Sequence, residues 1–239
     1  MRWAAMTNLS ARPGFEHVDT WVFDLDNTLY PRRSNLFSQI DVKMTSYVAQ
    51  LLGLPRDEAR KVQKQYYLKH GTTLKGLMLE HRVDYRDFLE KVHDIDYSWL
   101  DPDPALGQAI EALPGRKYIF TNGDRGHAER AAGRLGILDR FDDIFDIVAA
   151  ELTPKPARET YDRFLAAHGV EGARAAMFED LSRNLIEAKA VGMSTVLILP
   201  GEFDGEFVDA WECGGEDGAH VDHATDDLTG FLGVIAGRI

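Results

Sequence analysis

Two carboxylates stand two positions apart at Asp24 and Asp26, directly after the apolar run from Trp21 to Phe23. Acidic groups this close repel each other unless they share a cation or one of them is protonated. Carboxylate oxygens are the ligands that Mg²⁺ prefers in proteins. The pair therefore predicts a divalent-cation site, with Mg²⁺ as the expected cofactor. A lone pair in so acidic a chain is more often a solvated loop, so the other polar clusters decide between the two interpretations.

Three further polar clusters follow later apolar segments: Thr121 with Asn122, Lys155 between two prolines, and Glu179 with Asp180. Taken singly, each cluster has an ordinary structural explanation. Asn122 begins an Asn-Gly pair that is common in turns, Lys155 suits a solvated loop, and paired acidic residues stabilise the start of a helix. The occurrence of all four clusters in this order, each after a predicted strand, favours a shared site.

The elements that position these clusters are predicted as an alternation of strands and helices. The run from Trp21 to Phe23 is apolar without alternation, which is typical of a strand buried on both faces of a parallel sheet. Other apolar runs predict strands at residues 118–121, 144–149, 175–178 and 194–199. The pattern predicts an α/β fold, a Rossmann-like parallel sheet with helices on both faces. Because ligands bind beyond the carboxyl ends of such strands, the four clusters are expected at one edge.

A helical segment interrupts this alternation between residues 31 and 100, where strand-like patterning is absent. Apolar residues from Leu36 to Leu51 recur every three or four positions, as on one face of a helix, and Gly53 ends the pattern. Further helices are predicted at 57–69, 72–80 and 85–92. We therefore predict an α/β core domain of residues 1–30 and 101–239 and an α-helical cap domain of residues 31–100. Core helices are predicted at 103–113, 125–136, 160–168, before 191 and at 227–236, and Glu202 to His223 is interpreted as a surface loop.

The composition limits the partners of this chain of 239 residues, whose formal net charge is −12. That charge argues against a nucleic-acid polymer or an anionic membrane surface as a partner. Cys213 is the only cysteine, which excludes an intrachain disulfide and gives no sign of an oxidising compartment. No apolar run approaches the ~18 residues of a membrane span, and the N-terminal segment lacks the apolar centre of a signal peptide. We expect a cytoplasmic protein without a membrane partner, and its oligomeric state is left open.

Taken together, the clusters resemble the signature of the haloacid dehalogenase superfamily. The matching residues are Asp24-Leu25-Asp26-Asn27-Thr28, then Thr121, then Lys155, then Glu179-Asp180. A helical insertion between the first two motifs is similar to that of the helically capped class of the superfamily. More narrowly, the stretches 23–31 and 120–128 resemble the pyrimidine 5′-nucleotidase branch. The resemblance implies a phosphomonoester hydrolase, and its substrate a small phosphorylated metabolite, most specifically a pyrimidine nucleoside 5′-monophosphate.

The resemblance also implies catalytic roles for Asp24, Asp26 and Lys155. Asp24 is the expected nucleophile, which attacks phosphorus and forms an aspartyl-phosphate. Asp26 is expected to donate a proton to the leaving alcohol and then to take one from the attacking water. Lys155 and Mg²⁺ are expected to neutralise the charge of the approaching phosphate.

Binding roles follow from the same resemblance. The expected Mg²⁺ ligands are Asp24, the backbone carbonyl of Asp26, Asp180 and Glu179, the last either directly or through water. Thr121 and the backbone N–H groups near Asn122 are expected to hold the phosphoryl oxygens.

Other functions stay open at this level: a phosphatase for a sugar phosphate or phosphoglycolate, a phosphomutase, or a non-catalytic scaffold. A 2-haloacid dehalogenase needs neither Asp26 nor the Glu179-Asp180 pair, so the sequence argues against that activity. Several roles are also open. Asn184 either orients the acidic pair or lies exposed, Thr28 either orders its loop or contacts substrate, and Arg125 and His127 face either the site or solvent. The cap residues Tyr66, Tyr67, His70 and Lys75 are assigned no role.

Overall fold

The computed structural model describes residues 14–201 and 218–237. Six parallel strands form one sheet in the order β3-β2-β1-β4-β5-β6. The strands are β1 (Thr20–Phe23), β2 (Arg116–Phe120), β3 (Asp143–Phe145), β4 (Ala175–Glu179), β5 (Ser194–Ile198) and β6 (His223–Thr225). The predicted α/β, Rossmann-like fold is confirmed.

Four α-helices follow β1 within residues 31–100: α1 (Leu36–Leu52), α2 (Arg56–His70), α3 (Thr73–His81) and α4 (Tyr85–Val92). Their bounds agree closely with the predicted helices. They bury an apolar cluster that includes Ile40, Val48, Leu77 and Phe88, together with Ile147 from outside the four helices. A shared cluster of this kind supports a separate packing unit, and we propose residues 31–100 as the limits of this cap.

Among the described residues from 101 onward, five further α-helices alternate with the later strands: α5 (Pro104–Glu111), α6 (Arg125–Leu135), α7 (Arg158–His168), α8 (Ser182–Ala190) and α9 (Leu228–Ala236). Local residue chemistry sets several of their ends. The Asp103 carboxylate accepts a hydrogen bond from the backbone of Leu106 at the start of α5, and Gly136 ends α6 in a left-handed conformation. Within the described residues, no helix has the length and hydropathy that a bilayer crossing requires.

The central strand β1 is buried on both faces, as its unbroken apolar sequence predicts. Trp21 and Phe23 pack on one face, in a cluster with apolar residues of α5, α6 and α9. Val22 packs on the other face, in a cluster with residues of α7 and α8. Because successive side chains of a strand point to opposite faces, a strand covered by two helical layers needs apolar residues at every position.

The strand predicted at residues 144–149 was wrong in length, since β3 ends at Phe145. The side chain of Asp146 explains the early end. Its carboxylate accepts backbone hydrogen bonds from Arg125 at 2.9 Å and from Ala149 at 2.8 Å. Side-chain acceptors of this kind compete with the hydrogen bonds of a sheet and favour a turn.

The last strand, β6, was not predicted. It begins at His223, where the predicted surface loop was to end, and pairs in parallel with β5. Its three residues carry too short a pattern to distinguish a strand from a loop. The rest of that predicted loop lies largely outside the described residues, as does Cys213.

Candidate active site at the carboxyl edge of the sheet

One cavity lies between the carboxyl ends of the central strands and the cap helices. All seven residues selected from the sequence line it: Asp24, Asp26, Thr121, Asn122, Lys155, Glu179 and Asp180. Parallel strands bring their carboxyl ends to one edge, so residues far apart in the chain become neighbours there.

Asp24 is the first residue after β1 and continues the sheet, because its backbone N–H donates to the carbonyl of Phe178 at 2.9 Å. The chain then turns, with Asn27 in a left-handed conformation at φ 61°. Asparagine tolerates that conformation better than most residues. The turn keeps both Asp24 and Asp26 in the cavity wall.

Lys155 is a buried cation of the site, with 1% of its surface exposed. Its Nζ donates to Asp24 Oδ1 at 2.7 Å, to Glu179 Oε2 at 3.0 Å and to the Phe120 carbonyl at 2.6 Å. Burial alone lowers the pKa of a lysine, but the Asp24 and Glu179 carboxylates outweigh it and raise the pKa of Lys155 to about 12. Lys155 is therefore a permanent positive charge beside Asp24.

Asn122 positions the loop that carries Lys155. Its Oδ1 accepts from the backbone N–H of Lys155 at 2.8 Å, and its Nδ2 donates to the Lys155 carbonyl at 3.2 Å. Thr121 Oγ1 accepts from the backbone N–H of Gly123 at 2.9 Å. The side chain of Asn122 thus holds the loop that carries Lys155.

Three carboxylates, those of Asp24, Glu179 and Asp180, offer oxygens that lie within 4.8 Å of one another. Arg32 Nη2 contacts Asp180 Oδ2 at 2.8 Å. Burial and the Asp24 charge raise the pKa of Glu179 to about 8, and burial also raises the pKa of Asp24 despite Lys155. Raised carboxyl pKa values indicate too little positive charge nearby. The donor set and its electrostatics fit a divalent cation with a preference for oxygen ligands.

Asp26 has different partners from Asp24. Its Oδ1 accepts a hydrogen bond from the Tyr30 hydroxyl and lies 2.8 Å from His127 Nε2. Burial alone raises the pKa of a carboxyl, but His127 and Tyr30 outweigh it and hold the pKa of Asp26 below its ordinary value. The two aspartates of the first motif therefore lie in distinct electrostatic environments.

The structure resolves most of the positions that the sequence left open. Asn184 is buried, and its Nδ2 donates to Glu179 Oε1, so the exposed interpretation was wrong. His127 is fully buried and contacts Asp26, whereas Arg125 pairs with Asp143 away from the cavity. Thr28 Oγ1 is buried without a hydrogen-bond partner among the described residues.

Sequence reasoning missed Arg32 and the apolar wall of the cavity. Arg32 is buried and lines the cavity. Nothing in the sequence around Arg32 distinguishes a buried arginine from an arginine exposed to solvent. The apolar wall comes from the cap: Phe37, Ile40, Met44, Phe88, Leu89 and Val92. Their helical periodicity was visible, yet the same pattern serves a core or a pocket.

The sheet, the inserted helices and the four clusters at one edge define a class of protein, and a family model bears this out. The chain belongs to the haloacid dehalogenase-like hydrolases, whose model matches residues 18–192. A curated relative is Phosphate metabolism protein 8 of Saccharomyces cerevisiae, 27% identical over 201 residues. The match covers 77% of this chain and 62% of the yeast protein, so the chain spans less than two thirds of that relative.

Solved structures share the fold at low sequence identity. A haloacid dehalogenase-type phosphatase from Thermococcus onnurineus superposes with a TM-score of 0.60 at 20% identity, covering 92% of this chain and 99% of that one. An L-2-haloacid dehalogenase superposes with a TM-score of 0.59 at 16% identity, covering 90% and 98%. The fold thus accommodates both kinds of hydrolase, and the side chains of the site must distinguish them.

Proposed function

We propose that this chain hydrolyses small phosphate monoesters, most specifically pyrimidine nucleoside 5′-monophosphates, through a phosphoryl group held transiently on Asp24. The observation that carries the proposal is the contrast between two neighbouring carboxylates. Asp24 contacts the Lys155 ammonium, while Asp26 contacts a histidine and a tyrosine. Two acids in different environments are suited to two roles, here nucleophile and proton carrier.

The reaction proceeds in two displacements at phosphorus. A carboxylate oxygen of Asp24 forms a bond to phosphorus while the bond to the leaving oxygen breaks, and Asp26 gives that oxygen a proton. The incoming dianion raises the pKa of Asp26, so that it carries the proton. Water then attacks the aspartyl-phosphate, gives its proton to Asp26 and releases inorganic phosphate. Lys155 and the backbone at Thr121 hold the charge of the phosphoryl oxygens.

Mg²⁺ is the cofactor we propose, held by Asp24, Glu179, Asp180 and the backbone carbonyl of Asp26. When bound, it supplies positive charge that offsets the repulsion between the nucleophile and the phosphoryl group. Asn184 orients Glu179 through its amide and so supports this ligand set.

The size and chemistry of the cavity favour a base with one ring over a base with two. The cavity measures about 150 Å³, and a cavity of that volume holds a molecule such as benzene. Its cap side combines an apolar wall with polar groups, which belong to Asp41, Gln63, Lys64, Thr72 and Thr73. An aromatic base packs well on such a wall and uses the polar groups to fix its orientation. A name that refers to phosphate metabolism, carried by the yeast relative, favours a phosphate ester over a haloacid.

Phosphate release from a panel of esters tests the proposal directly. The panel contains UMP, CMP, AMP, GMP, a sugar phosphate and phosphoglycolate, each with Mg²⁺ and again with EDTA, and chloride release from 2-chloropropionate is measured beside it. We expect the highest kcat/KM for UMP and CMP and loss of activity with EDTA. A preference for another ester would be compatible with the proposed mechanism but would reject pyrimidine nucleotides as the substrate. Chloride release without phosphate release would reject the phosphatase.

A further inference from the structure

We propose that Tyr30 and His127 are positioning residues that fix the Asp26 carboxylate by one oxygen, so that the other oxygen serves the leaving group. This inference rests on the proposed function and deepens it, because it assigns to the two residues that contact Asp26 the task of orienting its carboxylate. Both side chains are buried, His127 with none of its surface exposed. Buried hydroxyl and imidazole groups are costly unless they are hydrogen-bonded, and both find their partner in Asp26.

The two contacts converge on the same atom of Asp26. The Tyr30 hydroxyl donates to Oδ1, and His127 Nε2 lies 2.8 Å from that oxygen. No described residue donates to Oδ2, and a Cβ built on Gly123 would lie 3.9 Å from it. Gly123 belongs to the backbone turn that follows Thr121 in the cavity wall. Two donors on Oδ1 prevent rotation of the carboxylate and keep Oδ2 toward this turn.

His127 is itself held on two sides. Its Nδ1 lies 2.9 Å from the Tyr97 hydroxyl, and the ring of His93 stacks on it with centroids 4.5 Å apart and planes at 8°. His93 Nδ1 lies 2.6 Å from Asp124 Oδ2, and Asp124 Oδ1 accepts from the His127 backbone at 2.7 Å. The imidazole therefore has one orientation available to it.

The residues that hold His127 come from the end of the cap. His93 directly follows α4, and Tyr97 lies in the segment that leads back to the core. The position of α4 is thereby linked to the orientation of Asp26. Proton transfer needs Asp26 within hydrogen-bond distance of the leaving oxygen. The position of the cap therefore affects whether Asp26 can protonate the leaving group.

The dependence of the rate on the leaving group distinguishes positioning from a merely structural role. An alkoxide is a poor leaving group and needs the proton of Asp26, whereas p-nitrophenolate leaves without one. Loss of either contact on Oδ1 should therefore slow cleavage of an alkyl ester by roughly 100-fold in kcat with little change in KM. Formation of the aspartyl-phosphate from p-nitrophenyl phosphate should slow by less than about 10-fold.

The experiment compares Tyr30→Phe, His127→Ala and His127→Gln with two matched controls. Tyr47→Phe removes a tyrosine hydroxyl from Asp87, and His81→Asn removes an imidazole from a tyrosine, both in contacts away from the cavity. Single-turnover rates are measured with Mg²⁺ for the alkyl phosphate that the wild-type protein cleaves best and for p-nitrophenyl phosphate. Circular dichroism checks that each variant folds, and Tyr30→Phe keeps the shape of the side chain. His127→Gln, whose amide nitrogen can replace Nε2, should recover part of the lost rate.

The outcomes separate the inference from the proposed function. A selective loss with the alkyl ester, absent in both controls and partly rescued by His127→Gln, supports the inference. Equal losses with both esters, or no loss in Tyr30→Phe and His127→Ala, overturn it while the wild-type activity upholds the phosphatase. A wild-type protein that cleaves neither ester overturns the proposed function, and the inference with it.

Discussion

At the scale of single residues, the site combines one buried ammonium with more carboxylates than it can neutralise. Lys155 contacts Asp24 and Glu179, and Asp180 turns to Arg32 instead. Isolated buried charges are strongly disfavoured. This cluster of charged side chains is tolerated because each of them contacts a side chain of opposite charge. We propose that the negative charge that is left unbalanced attracts a cation to the site.

Replacing the nucleophile should abolish turnover and spare the fold. Asp24→Asn keeps the shape of the side chain but removes the charge that attacks phosphorus, so we expect kcat to fall by at least about 10³-fold. Asp94→Asn is the matched control, because Asp94 forms an exposed ion pair with Lys43. Phosphate release and far-ultraviolet circular dichroism provide the two measurements. Activity of Asp24→Asn near the wild-type level would remove Asp24 as nucleophile.

The raised pKa of Glu179 predicts how stability depends on pH in the absence of metal. With a folded-state pKa of about 8 against an ordinary value of 4.5, the folded protein keeps a proton that the unfolded chain loses. The free energy of unfolding should therefore fall as pH rises from 5 to 8. Urea unfolding in EDTA measures this slope. Glu179→Gln should reduce this dependence of stability on pH, and the exposed control Glu90→Gln should not. Equal slopes in the two variants would contradict the raised pKa of Glu179.

At the scale of elements, strand register decides which residues meet. Phe23 of β1 pairs with Phe178 of β4 and with Ile119 of β2. The next residue on each strand is then Asp24, Glu179 or Phe120. Adjacent strands are about 4.8 Å apart, so the two carboxylates and the Phe120 carbonyl surround one point, which Lys155 Nζ occupies. The loop after β3 only has to bring a lysine there.

The connection from α5 to β2 should be intolerant of a side chain at Gly115. Gly115 has φ 79°, and a Cβ built on it would lie 2.1 Å from the Asp19 carbonyl, which accepts from Arg116. Gly115→Ala should lower the free energy of unfolding by about 3 kcal/mol. Gly133→Ala is the control, because its Cβ would meet nothing within 4 Å in α6. Gly133→Ala should raise the free energy of unfolding by about 0.5–1 kcal/mol. Urea unfolding measures both changes, and a change of the same sign in the two variants would contradict this prediction.

At the scale of the whole molecule, the cap covers the carboxyl edge of the sheet. The three clustered carboxylates come from the ends of β1 and β4, and the apolar wall that faces them comes from α1 and α4. Arg32, which precedes α1, bonds Asp180 after β4 and so ties the entry to the cap to the core. Closure of such a cavity excludes water and strengthens every charge interaction inside it.

Metal binding should stabilise the whole fold, since only the folded chain gathers these carboxylates. At ten times its Kd, Mg²⁺ adds about 1.4 kcal/mol, which for a chain of this size raises Tm by roughly 3–6 °C. Asp180→Ala should shift this rise, and the activity, to higher Mg²⁺ concentration, while Asp94→Ala should not. Thermal unfolding over a Mg²⁺ titration measures the shift. Identical titrations for wild type and Asp180→Ala would remove Asp180 from the ligands.

The sequence by itself predicted the order of the helices and of the first five strands, the helical insertion and the four polar clusters, but not β6. These depend on periodicity, capping and turn residues, which are local properties of the chain. Only the tertiary structure decided which partner each acid has. Lys155 meets Asp24 across 131 positions and His127 meets Asp26 across 101. Strand order and helix packing determine such contacts. The spacing of residues along the chain does not show which distant side chains become neighbours in the folded protein.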